Sequence, residues 1–382
     1  MASSTAPSKF VNAVVESSNK FALDLFKIIG SGEENCFFSP FSIYIALVLT
    51  YIGAAGKTAA ELIESLHLPE NKDEFLQGIR ELLDAIKNPK LNAATEIFIE
   101  KTYKVKPSYI EAAKKFVDSE SRLLDFKTAY AEAEKLINAW VSTQTKQKIN
   151  DLLPSGTLSS DTRLVLVNAV HFKDDWMHQF KARNTRDDDF HLSKEKTIKV
   201  PMMSQTERFG YLKKDDFKIL QLPYQDPNFS MVIILPEEID GLKSVEKKLQ
   251  SVNLNSLLAE TKSCKVDVKL PKFKLEKFVD LTQILSQNGL NHMFTDDANF
   301  SEIFEPSEEP IKVDKVLHKA FVEVNEEGTE AAAATAVMCM PLCLRIEPKE
   351  PIHPFIVDRP FIYLILYRQT VLFWGRLKSF NE

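Results

Sequence analysis

Cysteine is sparse, at four residues in a chain of 382. So thin a supply excludes a disulfide scaffold. Glycine is also scarce, 11 against 18 prolines, which argues against long flexible linkers. No window holds 18 consecutive apolar residues, so no membrane span is expected. The nearest approach, residues 43–55, is too short and is interrupted by Thr50. The first ten residues hold no basic region followed by an apolar core, so a cleavable signal peptide is not expected, and a cytoplasmic or extracellular location stays open. Positive charge is in deficit: 48 Lys and Arg against 54 Asp and Glu leave a net charge of −6, the wrong sign for a nucleic-acid binder. The seven histidines are scattered without metal-ligand spacing, and neither metal nor cofactor is expected.

What is present is a large soluble composition, 44% hydrophobic and 27% charged, able to bury a sizeable core. Apolar residues at helical spacing predict a helix over 10–29, halted at Gly30 and Gly32. A nearly all-apolar helix is expected over 42–52, central in the core. Thr58-Ala-Ala-Glu61 reads as a capping box that starts a third helix. Further helices are expected over 73–87, 107–117 and 129–145. Strand patterns follow at 164–171, where Asn168 alone breaks an apolar run, and at 231–235, 266–270 and 313–324. Residues 361–367 and 371–374 read as a terminal hairpin about Arg368-Gln369-Thr370. Helices first and strands afterwards predict an α+β fold, read as a single domain over 1–382.

Catalytic motifs are missing. Gly56-Lys57-Thr58 resembles the end of a phosphate-binding loop, but Tyr51 stands where a glycine is needed and a helix precedes it. Cys339 and Cys343 lack further metal ligands nearby and read as loop thiols. His318 shares a strand face with Val316, Ala320 and Val322 and reads as a hydrogen-bonded core histidine. The lysines Lys87, Lys90, Lys101 and Lys104 form no compact basic run, so a glycosaminoglycan partner is not expected. No enzyme constellation appears.

The segment from Glu326 to Val337 is the oddest in the chain. By propensity, Glu330 to Ala334 is an exposed helix. With period two, Thr329, Ala331, Ala333, Thr335 and Val337 make one small, uncharged face, able to enter a sheet without burying a charge. The run Val316-Leu-His-Lys-Ala-Phe-Val-Glu-Val-Asn-Glu-Glu-Gly-Thr-Glu-Ala-Ala-Ala-Ala-Thr335 closely resembles the proximal hinge of the serpins. Phe37-Phe-Ser-Pro-Phe-Ser42, Leu166-Val-Asn-Ala-Val-His-Phe-Lys173 with Trp176, Leu270-Pro-Lys-Phe-Lys274, and Asp358-Arg-Pro-Phe361 with Phe373-Trp-Gly-Arg376 resemble other blocks of that family, in its order. The resemblance covers about residues 10–380, on the side of inhibitory members without a signal peptide, the ovalbumin-type and invertebrate ones.

That resemblance implies a serpin fold, with three β-sheets, eight or nine helices and an exposed reactive-centre loop at about 326–354. It implies a monomeric suicide inhibitor whose hinge enters the main sheet after cleavage, trapping the protease as an acyl-enzyme. By the same resemblance Gly328 is the pivot. Thr329 enters the sheet first, and Ala331, Ala332, Ala333, Ala334 and Thr335 follow. Ser39, Ser42, Asn168 and His318 match a structural polar cluster beneath the sheet's opening point. Trp176, Lys272 and Glu326 match the group at the top of the sheet. The family's scissile bond usually lies fourteen residues beyond the hinge glycine, which here is Leu342–Cys343. Leu342 suits chymotrypsin-like, elastase-like or cathepsin-type proteases. The 32 residues from Gly328 to Pro360 exceed the family's usual length, so Arg345–Ile346, a bond for trypsin-like proteases, is the alternative. A serpin-fold binding protein that traps no protease is the competing reading.

Overall fold

The computed structural model describes residues 8–87, 91–307, 309–329 and 350–380. Its helices are α1 (Lys9–Ile29), α2 (Pro40–Gly53), α3 (Gly56–Ser65), α4 (Lys72–Ile86), α5 (Pro107–Val117), α6 (Phe126–Gln144), α7 (Leu242–Leu249), α8 (Leu254–Ala259) and α9 (Thr282–Gln287). The strands are β1 (Cys36–Phe38), β2 (Leu91–Glu100), β3 (Arg122–Leu124), β4 (Leu164–Phe172), β5 (Asp174–Asp175), β6 (Arg186–His191), β7 (Thr197–Lys213), β8 (Phe217–Pro223), β9 (Phe229–Pro236), β10 (Lys262–Pro271), β11 (Phe273–Asp280), β12 (Lys315–Val324), β13 (Gly328–Thr329), β14 (His353–Ile356), β15 (Phe361–Tyr367) and β16 (Thr370–Leu377). The described residues gather into two compact units. The first takes in Met1–His171, Glu276–Phe321 and Gln369–Trp374, and the second Phe172–Leu275, Val322–Arg368 and Gly375–Glu382.

In the first unit, every residue of α2 is buried, as an apolar helix without a polar face requires. Its start is fixed by Ser39, whose hydroxyl accepts from Ser42 N at 3.3 Å, with Pro40 in the first turn, where its missing N–H costs nothing. The third helix departs from the expected capping box. It begins at Gly56 behind Ala55, which offers no side-chain cap. Thr58 lies inside the helix, and its hydroxyl accepts from Asn299 N at 2.9 Å. Glu61 accepts from the backbone N–H groups of Asn291 and His292. Both supposed capping groups are thus used by a distant loop. Helix α6 starts at Phe126, capped by Asp125, earlier than expected because Ala129 has non-helical angles (φ −141°, ψ 39°) that interrupt the pattern.

The helical first part also contains an unexpected ten-residue strand, β2. Its buried Glu96 and Glu100 spoil the apolar alternation that marks a strand. Both carboxylates are satisfied by backbone donors: Glu96 accepts from Ser121 N at 2.9 Å, and Glu100 from Phe126 N at 2.7 Å. Strand order in this unit is β3-β2-β4-β12, with β11 beyond β12. β4 and β12 pair in parallel from Lys315↔Val165 to Phe321↔His171. Their faces divide cleanly. Val165, Val167, Ala169, Leu317 and Phe321 join Ile137 and Val141 of α6 in one core cluster. The alternate residues, Asn168 and His318 among them, carry hydrogen bonds to the segment that opens α2.

The second unit is built on an antiparallel ladder, β15-β9-β8-β7-β10, which β14 extends in parallel on β10. After β15 the chain turns at Arg368, whose φ is 51°. The 17-residue β7 escaped sequence reading, since Ser204 to Arg208 are polar and largely exposed. It is held by long registers instead, pairing with β6 at 197–202, β10 at 202–211 and β8 at 210–213. Through β7 the strands β15, β9 and β8 and the strands β10 and β14 form one hydrogen-bonded network.

Candidate functional site

β12 ends at Val324, and the chain turns back through Asn325-Glu326-Glu327 into β13. The Asn325 side-chain oxygen accepts from Glu327 N at 3.0 Å and Gly328 N at 3.2 Å, an Asx turn that fixes the reversal. Trp176 clamps the same turn, donating its indole N–H to Asn325 O at 2.9 Å and its backbone N–H to Glu327 O at 2.8 Å. Phe180 N donates to Glu326 O at 2.8 Å. The Glu326 carboxylate accepts from Thr185 Oγ1 at 2.7 Å and pairs with Lys272 at 2.8 Å. Burial pushes this carboxyl up, but Lys272 and Thr185 outweigh it, and the group ends below its ordinary range. Lys272, Trp176 and Glu326 are therefore brought together, with Thr185 and Asn325 added by the structure.

Two residues follow. Thr329 pairs with Val324 of β12 on one side and with Asp174 of β5 on the other, and Gly328 pairs with Asp175. Thr329 is wholly buried, and its hydroxyl lies 2.7 Å from the Tyr224 hydroxyl. Burial pushes the Tyr224 phenol well above its ordinary range, so it stays protonated and available to donate. The Trp176 ring stacks on Tyr224, centroids 4.6 Å apart and planes 12° from parallel. Gly328 is closely approached by the neighbouring strand. Its φ is not left-handed, but a Cβ there would lie 2.2 Å from Asp174 O. Close backbone approach, not a left-handed backbone, disfavours any side chain here. Ala331, Ala332, Ala333, Ala334, Thr335, Cys339, Leu342, Cys343, Arg345 and Ile346 lie outside the described residues, as does the helix that propensity suggests for Glu330 to Ala334.

A second constellation belongs to the first unit. His318 Nε2 accepts from Ser39 N at 3.1 Å, so the ring proton sits on Nδ1, which faces Asn168 Oδ1 at 2.6 Å. Asn168 Nδ2 donates to Ser42 Oγ at 2.5 Å and Thr95 Oγ1 at 2.7 Å, and Ser39 Oγ donates to Leu372 O at 2.6 Å. Burial holds the fully enclosed His318 down at about 3, so the imidazole is neutral. The four expected residues meet in one network. Thr95 is the added member, missed because its strand was missed.

Other sequence candidates lead elsewhere. Gly56-Lys57-Thr58 opens a helix preceded by the helix α2, not by a strand. Lys87 and Lys101 pair with Asp118 and Asp125, while Lys90 lies outside the described residues. Among the described residues no group of His, Cys, Asp and Glu could hold a metal ion, and no helix is long and apolar enough to cross a membrane.

Thr329 thus lies in a two-residue strand paired on both edges, with Val324 and with Asp174. The family model for serpins, serine protease inhibitors, matches residues 16–379. Human Serpin B4 is 38% identical over 97% of this chain and all of its own length. The leukocyte elastase inhibitor of Sus scrofa is 39% identical over 95% of this chain and 98% of its own. Among solved structures, Serpin48 of the insect Tenebrio molitor, described as a highly specific serpin, superposes with a TM-score of 0.87 at 31% identity. That match covers 97% of this chain and 99% of the other. The chain belongs to the serpin family.

Proposed function

We propose that this serpin inhibits serine proteases as a suicide substrate, with Leu342–Cys343 as the reactive bond. The observation that carries the reading is the seating of Thr329: a small, neutral residue, fully buried and paired on both edges as the start of an added strand. Beyond it the sequence offers Ala331, Ala332, Ala333, Ala334 and Thr335, which pass between strands with little side-chain resistance. Attack by the protease serine on the Leu342 carbonyl frees the Cys343 amine and leaves an acyl-enzyme. The freed hinge then extends β13 downward, separating β4 from β12 across their parallel register. His318, Asn168, Ser39 and Ser42 hold that register shut in the resting state. Glu326, with Lys272 and Trp176, anchors the turn about which the loop swings. The inserted state lies lower in energy, so the resting state is kinetically held. Leu342 favours apolar primary pockets, in keeping with the elastase-inhibitor relatives.

Separate incubation with chymotrypsin, elastase and trypsin, read by denaturing gel and mass, tests this. The expected result is a denaturant-resistant complex with chymotrypsin or elastase and a released peptide of residues 343–382. A peptide beginning at Ile346 would keep the mechanism and move the bond to Arg345. Cleavage by every protease with no complex would overturn inhibition of these classes and favour the binding-protein reading.

A further inference from the structure

Twenty residues separate Thr329 of β13 from Glu350. From Glu350 onward the chain is tied to the second unit. β14 runs parallel to β10, with His353 opposite Val266 and Ile356 opposite Lys269. The His353 ring stacks on Tyr211 of β7, centroids 4.9 Å apart and planes 22° from parallel, and Phe355 meets the same ring edge-on. Three residues before β14, Glu350 is held as well: its carboxylate lies 2.5 Å from Arg208 Nη1.

Arg208 does not meet Glu350 as a loose side chain. It belongs to β7, and its Nη2 donates to Ser263 O of β10 at 3.1 Å. The guanidinium therefore reaches over β10, one nitrogen on that strand's backbone and another on the carboxylate. Its planar fork allows both bonds at once. Lys265 of β10, also exposed, stands directly opposite Arg208 in the ladder. Like charges in that position repel. The acid two residues further along β10, Asp267, accepts from Thr206 Oγ1 at 2.8 Å. Glu350 brings a second carboxylate to this place, from the far end of the loop.

We propose that Arg208 is a positioning residue that selects the reactive bond: by holding Glu350 it tethers the chain close behind Arg345 and so favours cleavage after Leu342. This rests on the reading above that the bond attacked lies in residues 330–349. Seven residues, 343–349, lie between the Leu342–Cys343 bond and Glu350, and four, 346–349, lie between the Arg345–Ile346 bond and Glu350. At about 3.4 Å per residue these spans reach at most roughly 24 Å and 14 Å. Cleavage needs the bond brought into line with the reacting groups of the protease. A tether four residues away restricts that approach more than one seven residues away. Without the Arg208 contact the next tie is His353, three residues later, and the shorter span gains proportionally more.

The test compares the rate of the first cut per protease molecule, with the chain in excess, in the wild type, Arg208→Ala, Glu350→Gln and the exchange Arg208→Glu with Glu350→Arg. Mass analysis separates the two products, residues 346–382 from trypsin and residues 343–382 from chymotrypsin. In both single variants the trypsin rate, relative to the chymotrypsin rate, is expected to rise about threefold, the scale of an exposed ion pair. The exchange should return the ratio toward wild type, which a general loosening of the fold would not do. An unchanged ratio in both single variants, an exchange that behaves like them, or no cut after Leu342 in the wild type would each overturn the proposal. Peptide release is read whether or not the protease is trapped. Cleavage without a complex would therefore count against inhibition and still decide the role of Arg208.

Discussion

The Tyr224 hydroxyl meets the Thr329 hydroxyl at 2.7 Å, in a place where neither can reach water. This single bond ties the first residues of the hinge to the ladder of the second unit. Removing one partner leaves the other buried and unmet. Thr329→Val is expected to lower the urea stability by about 1–3 kcal/mol and Tyr224→Phe by about 1 kcal/mol. The double variant should cost less than their sum, with a coupling energy of about 1 kcal/mol. Strict additivity in the four-protein cycle would mean the bond does not form in solution.

Thr329 is also where charge should do the most damage. Thr329→Glu places a carboxylate between two strands, beside the Tyr224 hydroxyl and the Asp174 backbone, a burial that costs several kcal/mol. The variant is expected to be cleaved at the wild-type rate while the yield of denaturant-resistant complex falls by about tenfold or more. An unchanged yield on a denaturing gel would detach complex formation from the seating of this residue.

Gly328→Ala drives a methyl group into the backbone of Asp174 and Asp175, atoms that cannot rotate away. Overpacking of this kind costs about 1–3 kcal/mol. The urea midpoint should fall accordingly, although the φ of Gly328 is one that alanine adopts freely. A midpoint equal to wild type would show that the neighbouring strand yields at no cost.

His318 makes stability depend on pH. Its folded value of about 3 lies below the ordinary value of 6.5, so below pH 6.5 the unfolded chain takes up the proton first. The neutral ring's contribution is whole above 6.5 and is lost as pH falls toward 3, by up to about 1.4 kcal/mol per pH unit. Between pH 7.5 and 5.0 the wild-type urea midpoint is expected to drop more than that of His318→Gln, which has no proton to gain. Parallel pH profiles for the two proteins would refute this.

Much of this was legible in the residues. The wholly buried α2 and β4 announce themselves as nearly continuous apolar runs. The misses share a cause. Glu96 and Glu100 sit in a strand yet are satisfied by backbone donors from elsewhere, and β7 exposes polar residues while its neighbours hold its backbone. Thr58 and Glu61 imitate a helix cap but serve a loop more than two hundred residues away. In each case a side chain's partner is distant in sequence, and local pattern cannot supply it. Tyr224, Thr185 and Asn325 were missed likewise: their importance lies in what they touch. The crowding at Gly328 comes from Asp174, which no reading of neighbouring residues reveals.

The sandwich of Trp176 on Tyr224, with the indole nitrogen bonded to Asn325 O, has a practical consequence. Trp176 is one of three tryptophans in the chain, and its ring touches the hinge turn on its edge and the Thr329 partner on its face. Any departure of the hinge from its seat must change the polarity and the stacking around that indole. The chain therefore carries its own optical gauge of loop position, readable from intrinsic emission in a variant that keeps Trp176 alone.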